Sequence, residues 1–281
     1  MSLFFIQLRG EFIKLFSRKR TYIGFAVFVL IEVALIFLLN LEPVQRSLQK
    51  VISRSGYVAE DYLSGLTLAL LVLVWSVFLL ASLYLALVSG DLVSKEAEDG
   101  TLRMMLCRPI SRARILFIKA IACVVYTGIL VVFIAVTALV AGLLYGGTGG
   151  LFVFIPTERM FALYDFGAGL QRYAWAIPCL ALSLTTISAL GFFFSCMNIK
   201  PAAATILTLS VFLVDMILRT IPYFEDIRGW FLTTKMNAWL SVFEYQVPWE
   251  SMIADYTWLM AINASLFVLS WLIFERRDFK S

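Results

Sequence analysis

Histidine is missing from all 281 residues. Its absence excludes Ser-His and Cys-His nucleophilic pairs and every imidazole metal site. Charge is scarce too: Asp, Glu, Lys and Arg make up 15% of the chain, where an ordinary soluble domain carries about a quarter. Cys107, Cys123, Cys179 and Cys196 are the four cysteines. They sit within or beside apolar runs without Cys-x-x-Cys spacing, and so read as small buried hydrophobes rather than a disulfide or zinc framework. No internal repeat, Gly/Ser linker or low-complexity tract marks a second domain. A secretory leader is not expected, because the first apolar run is too long and no small-residue cleavage site follows it. What is plentiful is apolar sequence, 61% of positions. It is gathered into several nearly uncharged stretches of about 18 or more residues, the length a helix needs to cross a bilayer. These runs do not alternate polar with apolar, so a β-barrel is excluded. The expectation is an all-α, polytopic integral membrane protein, with residues 1–281 forming one transmembrane domain and no soluble domain.

Residues 2–20 place Phe5, Leu8, Phe12, Leu15 and Phe16 on one helical face, with Gln7, Glu11, Lys14 and Arg18 on another. That pattern suits an amphipathic helix lying in the membrane interface; the plainer alternative is a basic flank before the first span. Six spans follow, at about 22–41, 66–88, 115–144, 174–197, 202–221 and 257–274. With the N-terminus in the cytoplasm, the inner segments hold Arg9, Lys14, Arg18, Lys19, Arg20, Lys95, Arg103, Arg108, Arg112, Arg114, Lys119, Lys200, Arg276, Arg277 and Lys280, which is 15 of the 23 basic residues. The bias places both termini and the loop 89–114 inside. The outer loops are then about 42–65, 145–173 and 222–256. The Gly146–Gly150 cluster in the second of them reads as a flexible turn at a membrane exit. The third is strewn with Tyr223, Phe224, Trp230, Phe231, Trp239, Phe243, Tyr245 and Trp249. It reads either as short helices in or dipping into the outer interface, or as a folded cap with its own small core.

The loop Ser89–Lys119 is heavily punctuated. Asp91–Asp99 continues the second span as a polar helix, and Gly100 suits the position just past its end. Thr101 is a good N-cap for a short helix with Leu102, Met105 and Leu106 on one face. Pro109 stops that helix, Arg108 before it is biased away from helix, and Ser111 caps the third span. The result is a two-turn helix held between two spans. It reads as a docking element for a partner or as an ordinary charged loop.

This segment resembles the signature of ABC exporter permeases of the ABC-2 type. The matching residues are Glu96 or Glu98, Gly100-Thr101-Leu102, Pro109, Ser111-Arg112 and Lys119. The ending Phe274-Glu275-Arg276-Arg277-Asp278-Phe279 is similar to that family's Phe-x-x-Arg-Asp tail. The resemblance implies a membrane subunit without an ATPase site of its own, in agreement with the lack of a GxxxxGK phosphate loop. It implies two permeases, identical or related, paired with two separate cytoplasmic ATPase subunits that bind ATP and Mg. No cofactor is then expected on this chain. The ATPase would dock at Thr101–Cys107, through Glu96, Glu98, Thr101, Leu102, Met105, Arg108 and Arg112, with Gly100, Pro109 and Ser111 shaping the loop. Membrane lipids are further partners, an external accessory protein is admitted, and nucleic acid is not expected. The implied location is a bacterial inner membrane.

Besides Lys119 near the inner end of the third, three charges lie inside spans. Glu32, near the middle of the first, costs about 2.5–3.5 kcal/mol on insertion scales, which about ten flanking apolar residues offset. Such a group is a candidate for contact with substrate, for pairing across a dimer, for protonation, or for a structural hydrogen bond. Asp215 and Arg219, four apart on the fifth span, read as an ion pair or as part of a pore lining. An intramembrane enzyme is disfavoured by the missing histidine and the lack of a second well-placed Asp. A secondary carrier is disfavoured by the lack of internal repeats. A membrane anchor that transmits force without transporting remains open.

Overall fold

The computed structural model describes residues 3–17, 19–39, 41–44, 46, 64–106, 110–155 and 160–277. The chain opens with α1 (Leu3–Ser17) and turns directly into α2 (Lys19–Leu39). Helix α3 (Gly65–Ser76), a π-helical turn (Val77–Ala81) and α4 (Ser82–Glu98) follow end to end. Then come the short α5 (Thr101–Leu106), α6 (Arg112–Gly146), a hairpin of β1 (Leu151–Ile155) and β2 (Met160–Tyr164), α7 (Phe166–Cys196) and α8 (Pro201–Thr220). Two 3-10 segments, Pro222–Trp230 and Asn237–Phe243, flank α9 (Leu232–Met236), and α10 (Trp249–Arg276) closes the described chain.

Five of these helices, α2, α6, α7, α8 and α10, are long and apolar enough to cross a membrane. The stretch predicted as the second span, 66–88, falls on α3, the π-helical turn and α4, and α4 runs on to Glu98, the polar helical continuation that the sequence suggested. Helices α7 and α10 likewise begin eight residues before the predicted spans, at Phe166 and Trp249. The predicted outer loop 42–65 lies largely outside the described residues.

Helices α4, α6 and α7 pack against one another, and α3 lies along α6. Small residues set that last contact. A Cβ on Gly142 would strike the Gly65 carbonyl, and one on Gly146 would stand 2.6 Å from the Gly65 nitrogen. Backbones thus meet directly, as at small-xxx-small crossings in membranes. The Gly146–Gly150 turn is held rather than loose. Gly147 adopts a φ of +65° that glycine alone tolerates cheaply, its carbonyl accepts from Gly65 N, and Ser64 Oγ donates to Gly150 O at 2.6 Å. Helices α2, α8 and α10 lie outside this centre and expose apolar faces, including Leu30, Phe37, Ile206, Val214 and Ile253. Exposed apolar surface on that scale suits a lipid environment rather than water.

At the end where α6 meets α7, the hairpin pairs antiparallel from Leu151↔Tyr164 to Ile155↔Met160. It was not expected. Arg172 joins it to the aromatic segment: its guanidinium lies over the Tyr164 ring and donates to the carbonyls of Val242 and Tyr245. The segment divides in two. Trp239, Leu240, Val242 and Phe243 are buried against α7, whereas Tyr223 and Trp230 are exposed and no residue of Pro222–Trp230 is buried. The Asp215 carboxylate accepts from the amides of Leu232 and Thr233 at 3.0 and 2.7 Å, so it caps α9. Arg219 reaches the Thr233 carbonyl at 3.5 Å. Both charges of α8 are therefore turned towards this cap, a role sequence spacing did not suggest.

Candidate functional site

The punctuated loop folds as a hinge between α4 and α6. Helix α4 ends at Asp99, and Gly100 takes φ +72° with its amide donating to Ala97 O, the left-handed stop expected of glycine there. Thr101 is the first residue of α5 and not its cap; its hydroxyl donates back to Glu96 O at 3.3 Å, because Gly100 already occupies the turn. Ser111 does cap α6, accepting from the amide of Arg114. Arg108 and Pro109 lie outside the described residues. So does Asp278. Within α5, Leu102 is fully buried while Met104 is 67% exposed. Leu102 thus holds the helix to its own chain. Among the described side chains of α5, Thr101 and Met104 point outward.

Beneath the hinge sits a compact set of charges from three elements. Lys119 of α6, 1% exposed, lies 3.0 Å from Glu11 of α1 and 2.8 Å from Glu96 of α4. It also donates to Leu92 O at 3.3 Å. Lys14, one turn along α1, lies 2.9 Å from Glu11 and 3.5 Å from Glu96. Two carboxylates and two ammonium groups cancel, which is what lets them stay buried. Burial pushes the Glu11 carboxyl up, but the Lys119 charge and then Lys14 more than reverse it, so Glu11 stays below its ordinary value. For Lys14, burial pulls down and Glu11 with Glu96 pull harder upward, so it stays above its ordinary value. Nearby, Arg20 at the start of α2 bridges Asp91 of α4 at 3.0 Å. Glu96 therefore faces inward onto Lys119. Glu98 instead stays at the surface with Lys95, 3.4 Å away, a contact of small energetic worth.

A second set of contacts runs the other way from the hinge. Arg112 donates to the carbonyls of Glu275 and Arg277 at 2.9 and 3.1 Å, at the end of α10. Arg277 in turn donates to Cys196 O, Met197 O and Asn198 Oδ1 at 3.3, 3.0 and 3.0 Å, at the turn from α7 to α8. Each guanidinium sits on the negative end of a helix, where a cation contributes about 0.3–1 kcal/mol and satisfies carbonyls that lack partners. The two sequence motifs singled out above, the loop and the tail, thus meet in space. Arg276, beside Arg277, points outward and is exposed. Between α1 and α5 lies an open cleft of about 710 Å³, walled by Gln7, Gly10 and Lys14 on one side and Asp99, Thr101 and Met104 on the other.

Sequence reasoning missed Glu11 as a site residue. Its position on a helix face was visible, but its partner Lys119 is 108 residues away. It also missed Met104, which lies next to the predicted Met105; the Met105 side chain is outside the described set. Glu32 is placed apart from all of these, buried on α2.

The pattern common to ABC-2 family transporter proteins matches residues 7–215. The chain belongs to that family. It is a multi-pass membrane protein, and the matched region runs from α1 into α8, so it includes the hinge, Glu11, Glu96 and Lys119. The chain is also similar to the uncharacterized protein YhcI of Bacillus subtilis (strain 168), with 24% identity over 173 residues, which is 50% of this chain and 55% of that protein. The match thus spans about half the length of that relative.

Proposed function

We propose that this ABC-2 family chain is the membrane-spanning permease of an ATP-driven exporter, and that the hinge Glu96–Arg112 is where a separate ATPase subunit delivers its motion. The observation that carries this reading is the hinge itself. One short helix presents Thr101 and Met104 outward, and both of its flanks are fastened to other parts of the bundle. A push on α5 is passed through Glu96 and Lys119 to α1 and α6, and through Arg112 and Arg277 to α10, α7 and α8. Leu102, fully buried, supports this transfer from within, and Thr101, Met104, Glu98 and Asp99 meet the partner.

In this reading α3–π–α4 is a sixth passage, since the three pieces run on without a break. The hinge, α1 and both termini then face the cytoplasm of a bacterial cell, in line with the 15 basic residues counted above on that side. The exposed faces of α2, α8 and α10 are covered by lipid and by a second copy of the chain or a related one. ATP and Mg are bound by the partner ATPase and no cofactor by this chain; an external partner would meet the cap around Tyr223 and Trp230.

The test is reconstitution with the ATPase encoded beside the gene. Met104→Asp should leave the permease folded, yet cut the permease-dependent stimulation of ATP hydrolysis at least tenfold. Unchanged stimulation would remove α5 as the docking element. A non-transporting anchor predicts the same loss of stimulation but no substrate movement in the native complex, so vesicle transport separates the two.

A further inference from the structure

The hinge does not use Glu32. Its side chain is 1% exposed, near the middle of an apolar helix, and its Oε1 has no hydrogen-bond partner. Among the described residues no cation pairs with it, and the polar group beside it is the Thr137 hydroxyl of α6. That hydroxyl also lies 2.8 Å from Phe133 O and 3.1 Å from Ile134 O, the helix carbonyls to which a threonine gives its proton. A hydroxyl has a single hydrogen. With that hydrogen on a carbonyl, Thr137 offers Glu32 an acceptor only.

Among the described residues the surroundings supply nothing that would hold an anion. On α6's neighbour α7, Tyr173 faces Glu32 closely enough to feel its charge, but its phenol donates to Ala135 O at 2.8 Å. Helix α3, packed along α2, holds no acidic, basic or phenolic residue. The charges of α1 sit with Lys119 at the other end of α2. The position along the span adds a second observation. One turn before Glu32, the Phe28 ring lies 5.7 Å from the Tyr84 ring. Glu32 is about 6 Å further along α2. Because α2 continues from there along α3, this sets it level with the π-helical turn Val77–Ala81. Such turns break the regular ladder and recur at functional sites.

We propose that the Glu32 carboxyl is a proton-binding site: a neutral acid that donates to Thr137 in the packed state and exchanges its proton only when the spans part at the π-turn and admit water. The ligand is a proton, taken from and returned to water, and the parting of the spans is thereby linked to proton concentration. This does not rest on the ATPase reading, and its test needs no ATPase.

The test is infrared difference spectroscopy of the full chain in lipid vesicles at neutral pH. Wild type minus Glu32→Gln should show the carbonyl stretch of a protonated carboxylic acid, shifting down in heavy water once exchange is complete. Thr137→Val should move the same band to higher frequency, because the acid loses its acceptor. A carboxylate band in place of the acid band would overturn the proposal. So would an acid band in the native protein that Thr137→Val leaves unmoved, a comparison that holds even if Glu32→Gln fails to fold.

Discussion

Replacing Lys119 with Met removes one charge from a set that is balanced and buried. Glu11 and Glu96 would then face each other without the ammonium that lies 3.0 and 2.8 Å from them. Lys14 remains, but it is 45% exposed and reaches Glu96 only at 3.5 Å. Breaking a buried ion pair by deleting one partner costs about 3–5 kcal/mol, most of it the penalty of the charge left behind. Part of that is relieved if one carboxyl takes up a proton, so the lower end, about 3 kcal/mol, is expected. The triple variant Glu11→Gln, Glu96→Gln, Lys119→Met removes the orphaned charges as well and should recover most of the loss, since buried pairs contribute little net stability when exchanged as a unit. The assay is denaturant unfolding of the purified chain in detergent. A single variant as stable as wild type would refute the geometry of the cluster. A triple variant as unstable as the single would show that lost packing, not uncompensated charge, sets the cost.

The same cluster gives the pH dependence a sign. Glu11 is held below its ordinary value of 4.5, so its contribution is complete above that value and is lost as pH falls through the lower, folded one; Lys14 is held above its ordinary 10.5, so its share fails only in strong alkali. Limited proteolysis near Ser17 should therefore rise only on the acid side, and Glu11→Gln should flatten the acid limb. Gly142→Leu should separate α3 from α6 and lower stability by about 3 kcal/mol or more, read as loss of folded protein on size-exclusion chromatography, because the Gly65 backbone it strikes cannot move aside. Arg277→Ala frees Cys196 O, Met197 O and Asn198. It should cost about 1–2 kcal/mol in stability while reducing ATPase stimulation more steeply than Arg276→Ala does.

The long apolar helices were legible because bilayer thickness writes a length into sequence, and a span such as Pro201–Thr220 was placed within a residue of its predicted bounds. The stops of the hinge were legible too, since Gly100 and Ser111 act through their own backbone neighbours. What failed to show was non-local. Nothing near Glu11 announces a lysine on α6, and nothing near Asp215 announces the amides of Leu232 and Thr233. The burial of Leu102 on α5 was hidden for a related reason. An apolar residue on a short helix serves its own fold before it serves a partner, so Leu102 is buried and Met104 is not. The hairpin escaped notice because Leu-Phe-Val-Phe-Ile and Met-Phe-Ala-Leu-Tyr are apolar throughout and carry no alternation.

The central claim is that a cytoplasmic ATPase meets this chain at α5. A photoactivated cross-linking residue placed at Met104, in the intact complex, tests it most directly, with the same residue at Tyr223, 87% exposed at the far end, as the control. The account predicts a cross-link to the ATPase from position 104 and none from 223. Cross-linking from 223, or none from 104 in a complex that hydrolyses ATP, would contradict it.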